Sequence, residues 1–86
     1  MDNQNILYEL LSLLEQKNIE IRKEPLQGSG GGLCSVKGRY LFFLDTQAPT
    51  TKTAPLAAKA VAKLVNTDNI YIKPQVREFI QLNAAT

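Results

Sequence analysis

Histidine is absent from this 86-residue chain. That removes the usual base of a serine or cysteine triad and every His-ligated zinc site. Cysteine occurs once, as Cys34, so neither an intramolecular disulfide nor a thiolate metal cage can form within the chain. Carboxylate or lone-thiol chemistry is what survives, and a reactive Cys34 would need a basic neighbour such as Lys37 or Arg39. Long apolar runs are missing too, with nothing near the ~20 residues of a membrane-crossing helix. Charge of one sign is not in excess: ten basic and eight acidic residues leave a net charge of +2. No block of like charges stands out, which argues against nucleic acid as a partner. The first residues, MDNQNILYELLSLL, place acidic and amide side chains where a signal peptide has basic ones. With no disulfide framework, the expected setting is cytoplasmic.

What is present centres on residues 27–45, QGSGGGLCSVKGRYLFFLD. Tyr40-Leu41-Phe42-Phe43-Leu44 is a continuous apolar run between Arg39 and Asp45. Five such residues are too few for a helix and suit a strand in the middle of a sheet. Before it, Leu33-Cys34-Ser35-Val36 alternates, with Cys34 and Val36 on one face, and a buried Cys34 is the usual reading of a lone thiol. Lys37-Gly38 between the two runs predicts a tight hairpin turn, or one longer by a residue. Residues 28–32, Gly-Ser-Gly-Gly-Gly, open a strand where phosphate loops open a helix, and they lack a Gly-Lys-Ser/Thr ending. They read as a connector between antiparallel strands, with close backbone approach to a ligand or second subunit as the functional alternative.

Taken in order, residues 3–17 predict an amphipathic helix capped by Asp2 or Asn3. Ile6, Leu7, Leu10, Leu11 and Leu14 form its stripe; Tyr8 and Leu13 lie off it and are expected to be buried, in part across a dimer, with a partner surface as the functional alternative; Asn18 is a left-handed terminator. Residues 19–24 alternate as a strand whose Glu20, Arg22 and Glu24 face water, and Pro25 ends it. Asp45 is expected to act as a turn acceptor. A helix follows from Thr51 or Thr53 to Val65, with Pro55 in its first turn if Thr53 is the cap. Lys52, Lys59 and Lys63 are expected in solvent. Residues 70–72, Ile-Tyr-Ile, are a candidate short fourth strand. Pro74 then opens a last helix with Val76, Phe79 and Ile80 inward and Gln75, Arg77 and Glu78 outward. Residues 83–86 are expected to fray.

The fold expected is a single α+β domain over residues 1–86: an N-terminal helix, a three-stranded antiparallel meander, and two C-terminal helices packed on the sheet. The uncovered face would carry Leu41 and Phe43, or Leu33, depending on register. A small sheet with two apolar faces and helices for one suggests a homodimer.

At GGLC-x-V-x-G-x-x-L-x-x-L-D, and again at IYIKPQVREFI, the chain resembles a group of short bacterial proteins of unassigned function. In these a Gly-Gly-x-Cys turn leads into a hairpin and a Lys-Pro-x-x-Arg-Glu-Phe-Ile-like helix closes the chain. The resemblance covers residues 19–80, implies no activity, and marks Gly31, Gly32, Cys34, Pro74 and Arg77.

Two functions follow. The first is a non-enzymatic interaction module, acting as a homodimer or on another protein. The second is a binding domain for a small anionic molecule, with Gly30, Gly31, Gly32, Cys34 and Arg77 around the ligand. No catalytic residue, metal ligand or cofactor is assigned.

Overall fold

The structure, a computed structural model, describes residues 1–84. Its elements are α1 (Asn3–Gln16), β1 (Glu20–Glu24), β2 (Gly31–Val36), β3 (Arg39–Asp45), α2 (Thr50–Leu64) and α3 (Pro74–Ala84). The α+β class, the N-terminal helix, the three strands and the two further helices are all as expected.

Helix α1 begins where Asp2 Oδ1 accepts the Asn5 N–H at 2.8 Å, satisfying one of the free donors of the first turn. It stops at Asn18, whose φ of 61° turns the backbone left-handed. The Asn18 N–H then donates to Glu15 O and the Ile19 N–H to Leu14 O. This paired bonding is a Schellman ending, and it drops Ile19 into the core. Leu13 is buried as expected, but Tyr8 is 77% exposed. The three- and four-residue spacing of the main stripe leaves Tyr8 on the solvent side, and no other element covers it among the described residues.

The sheet is where the expectation fails. Its order is β1-β3-β2, with β1 parallel to β3 and β2 antiparallel to β3. It is a mixed sheet, not an antiparallel meander. The alternation of residues 19–24 specifies which side of β1 is wet but carries nothing about which strand it will pair with. Leaving β1, the chain crosses over the end of β3, descends as β2, turns, and climbs back between the two. The crossing spans two strand spacings, roughly 10 Å, and residues 25–30 are enough for it. β3, the aromatic run, is the central strand, as its composition predicts.

Lys37 and Gly38 are the two turn residues between Val36 and Arg39, which pair directly, and their φ values are 51° and 77°. Two positive φ angles define a type I′ turn, the hairpin turn that matches strand twist. The tight form of the turn is therefore the one formed.

Helices α1 and α2 cover one face of the sheet. Ile21, Phe42, Leu44 and Leu33 point to them, and Phe42 is fully buried. Ala54, Ala57, Ala58 and Ala60 let α2 approach closely. α2 starts earlier than expected: Pro49 is its cap, its carbonyl accepts the Lys52 and Thr53 N–H groups, and Thr53 is buried with its hydroxyl donating to the same carbonyl. Pro55 thus falls inside the helix, and the Thr51 carbonyl it leaves without an N–H partner belongs to an exposed residue.

Helix α3 packs on α2 and touches α1; it does not pack on the sheet, contrary to expectation. Residues 70–72 form no strand. The sheet is complete with β1, β3 and β2; Ile72 fills the core while Tyr71 is 82% exposed. Lys73, after them, pairs with Glu9 of α1. The hydrogen bond and charge of Glu9 raise the Lys73 pKa above its usual value. Of the tail expected to fray, Asn83 and Ala84 complete α3 and the Asn83 amide donates to Phe79 O. Residues 85–86 lie outside the described residues.

Candidate functional site

The register sorts the side chains of the sheet into two sets. Leu41 stands beside Cys34 and Glu20, and Phe43 beside Gly32 and Arg22. These residues, with Val36, Glu24 and Arg39, lie on the face opposite the helices. No helix, loop or strand covers it among the described residues. Leu33 belongs to the covered face, so the apolar residues of the open face are Leu41 and Phe43.

Leu41 and Phe43 are half-buried by their neighbours alone, and Val36 is 47% exposed. An open apolar depression of about 350 Å³ lies beside Phe43, lined by Leu26, Gly31, Gly32, Leu33 and Cys34. Along β1, Arg22 reaches both Glu20 and Glu24 at 3.3 Å, making an acidic margin with one bridging cation. At the turn end of the same face stand Lys37 and Arg39, which border a second shallow depression with Val36, Leu41, Glu20 and Arg22. The Glu-Arg-Glu series is solvated as expected and has none of the enclosure that a general acid requires.

The glycine segment is organised by Asp45. Asp45 is only 2% exposed. Its Oδ1 accepts the Leu26 N–H at 2.9 Å and the Gln47 N–H at 2.9 Å, and its Oδ2 accepts the Gly30 N–H at 3.0 Å. Burial alone would raise the carboxyl's pKa. The N–H groups of Gly30, Leu26, Gln47 and Gly28 outweigh burial and hold it below the usual carboxylate value. Lys52 of α2 adds a bond to Gly28 O at 2.8 Å, and Gln47 Oε1 takes the Gln27 N–H. The segment does cradle an anion, and that anion is the protein's own carboxylate. Asp45 therefore fulfils its expected role as a turn acceptor on a larger scale, tying the crossing loop to the end of the strand it crosses.

The candidate binding residues are not brought into one site. Gly30 is buried against Leu56 and Lys52 and gives its N–H to Asp45. Gly31 and Gly32 belong to β2, where Gly31 lies against the Phe43 backbone. Cys34 shares a face with Val36 as expected but is exposed rather than buried, because that face is the uncovered one. Arg77 is half-buried on α3, and its guanidinium donates to Thr67 O at 2.9 Å and Ile70 O at 3.3 Å. It secures the connector between α2 and α3, on an element that does not reach β2. Among the described residues no group of three or more Cys, Asp or Glu side chains could hold a metal ion, and no helix is long and apolar enough to cross a membrane.

Reading the sequence did not bring Leu26 or Val36 into the face. Leu26 follows Pro25 and looks like loop; Val36 was visible as the partner of Cys34 in the alternation, but its side depends on register.

The fold and the face together describe a small α+β domain whose mixed sheet is covered on one side only. No family model, no curated protein and no solved structure matches the chain significantly.

Proposed function

We propose that this chain is a non-enzymatic interaction module that pairs with a second copy through the open face of its sheet. The observation that carries the reading is the uncovered pair Leu41 and Phe43, extended by Leu26, Cys34 and Val36. Apolar side chains on one contiguous, unpartnered sheet face favour burial against another surface.

Charge placement supports a second copy as the occupant. Glu20 and Glu24 lie along the β1 margin, and Lys37 and Arg39 at the β2–β3 turn, at the same end of the sheet as Glu20. A two-fold axis running along β3 lays β1 of one copy over β2 of the other, so Glu20 of each copy comes toward the Lys37 turn of its partner. The face is small. Three strands at ~4.8 Å spacing and seven residues at ~3.3 Å give roughly 15 by 23 Å. Two such faces bury well under the ~1,600 Å² of a standard interface. The pairing is therefore weak and concentration-dependent.

The alternative, an anionic small molecule at residues 28–32, draws less support, since the amide that faces inward at Gly30 already serves Asp45.

Sedimentation equilibrium over a wide concentration range tests the reading. The untagged chain should move from monomer to dimer as concentration rises, and Leu41→Glu should remain monomeric with an unchanged circular dichroism spectrum. A wild-type chain that stays monomeric at millimolar concentration would end the proposal.

A further inference from the structure

The outer edge of β2 is open, and it differs in kind from the other edge of the sheet. β1 carries Glu20, Arg22, Lys23 and Glu24, the charged side chains by which proteins guard an edge strand. β2, Gly-Gly-Leu-Cys-Ser-Val, carries no charge and no proline.

Its unpaired backbone groups can be assigned. Gly30 O accepts the Asp45 N–H, and Val36 and Arg39 close a two-residue turn. Alternation along an antiparallel pair then directs the N–H and C=O of Gly32, Cys34 and Val36 to β3 and those of Leu33 and Ser35 outward. Beside that edge runs a groove of about 210 Å³ floored by Leu33, Leu56 and Ala60, with Lys59 and Lys63 of α2 along its wall. Neither lysine makes an ion pair among the described residues.

The charge around the edge has one sign. Residues 25–67 contain five basic side chains (Lys37, Arg39, Lys52, Lys59, Lys63) and one acid, Asp45. That acid is buried and engaged by backbone N–H groups. The chain's near-neutral total hides this division, because the other seven acids lie in residues 1–24 and 68–86.

We infer that the free edge of β2 docks an extended, acidic segment of another protein as a fourth strand, between β2 and the lysines of α2. Main-chain bonds to Leu33 and Ser35 hold the segment. Alternate side chains of the segment face α2: their methylene stems lie over Leu33, Leu56 and Ala60 and their carboxylates meet Lys59 and Lys63, while the side chains between them point to the other side of the sheet. A second copy of this chain is a poor occupant, because edge-to-edge pairing of two β2 strands would bring two sets of these lysines together. The site is separate from the open face, so one can fail without the other.

The test uses the full chain, the fluorescent peptide Glu-Val-Glu-Val-Glu-Val-Glu, its lysine counterpart Lys-Val-Lys-Val-Lys-Val-Lys, and an oligouridylate. The acidic peptide should bind, and Lys59→Glu with Lys63→Glu should weaken it by about tenfold or more, as like charges now face each other. On binding, amide exchange at Leu33 and Ser35 should slow, while Gly32, Cys34 and Val36, already bonded within the sheet, should not change. Ser35→Pro, which removes an outward N–H, should abolish binding while the helical circular dichroism signal persists. Absence of binding, equal binding of the lysine peptide, or unchanged exchange at Leu33 and Ser35 overturns the inference. Tighter binding of the oligouridylate overturns it in favour of nucleic acid.

Discussion

Gly31→Ala should be among the most damaging single-methyl additions available to this chain. Gly31 has φ of +90°, and a Cβ there would lie 2.1 Å from the Phe43 carbonyl oxygen and 2.8 Å from its carbon. Both atoms are backbone of the central strand, so no side chain can swing away. Two costs add. An L-residue held left-handed costs about 1–2 kcal/mol. Relieving the contact means moving β2 off β3, with the loss of one or two ladder bonds at about 1 kcal/mol each and repacking besides. The sum is about 3–5 kcal/mol, against a total stability of about 4–13 kcal/mol for a domain of this length. Gly28 is the internal control: its φ is +83°, but a Cβ there meets nothing within 4 Å. Gly28→Ala should therefore cost only the conformational part, about 1–2 kcal/mol. Urea unfolding of both variants, followed by circular dichroism and tyrosine fluorescence, measures the difference. If Gly31→Ala is no more destabilising than Gly28→Ala, the close approach to Phe43 is not what glycine serves there.

Lys37→Asn should stabilise the chain by about 0.5–1 kcal/mol in the same assay, because asparagine tolerates the left-handed first position of a type I′ turn better than lysine; a loss of stability would contradict the turn assignment. Phe42→Ala should cost about 3–5 kcal/mol, since the ring is fully buried at the centre of the sheet, and a cost near zero would place the core elsewhere. Asp45→Asn should make the stability less dependent on pH. The folded carboxyl sits below its ordinary value of 3.8, so its contribution is complete above that value and is lost as the pH falls through it to the folded pKa. The gap between wild type and variant should be wide at neutral pH and narrow in strong acid; a constant gap would mean the carboxylate's charge is not what the loop uses. Cys34, exposed on the open face, should be alkylated readily in dilute protein and more slowly as concentration rises, and a rate independent of concentration would count against pairing through that face.

Local features were legible in the sequence because each is decided within a few residues. The Asp2 cap, the Asn18 terminator, the Lys37-Gly38 turn, the central aromatic strand and Pro74 at the start of α3 all rest on short-range chemistry. Strand partnership was not legible. Residues 19–24 would look the same whether β1 paired parallel or antiparallel. The same limit applied to the glycine segment: it read as a connector, with close approach to a ligand or second subunit as the alternative, and the anion it approaches, Asp45 of the same chain, lies across the sheet's end. Arg77 read as a free cation because helical periodicity placed it outward, and only the fold of the α2–α3 connector brought two carbonyls to it. The basic division of residues 25–67 was in plain sight, but a whole-chain total and a search for dense blocks both averaged it away.

The strand at the middle of the sheet is the last of the three to be made. On the ribosome, β1 and β2 emerge with nothing between them, and they are not neighbours in the finished sheet. Neither can join a sheet until residues 39–45 have cleared the exit tunnel, so no part of the sheet forms before β3 is available. The short-range hairpin of β2 and β3 is the part that loop closure favours first. β1 then completes the sheet when its parallel partner is already in place, and Asp45 clasps the crossing loop only at that moment. A chain interrupted before residue 39 would hold α1 and the segments of β1 and β2 with no strand to join them.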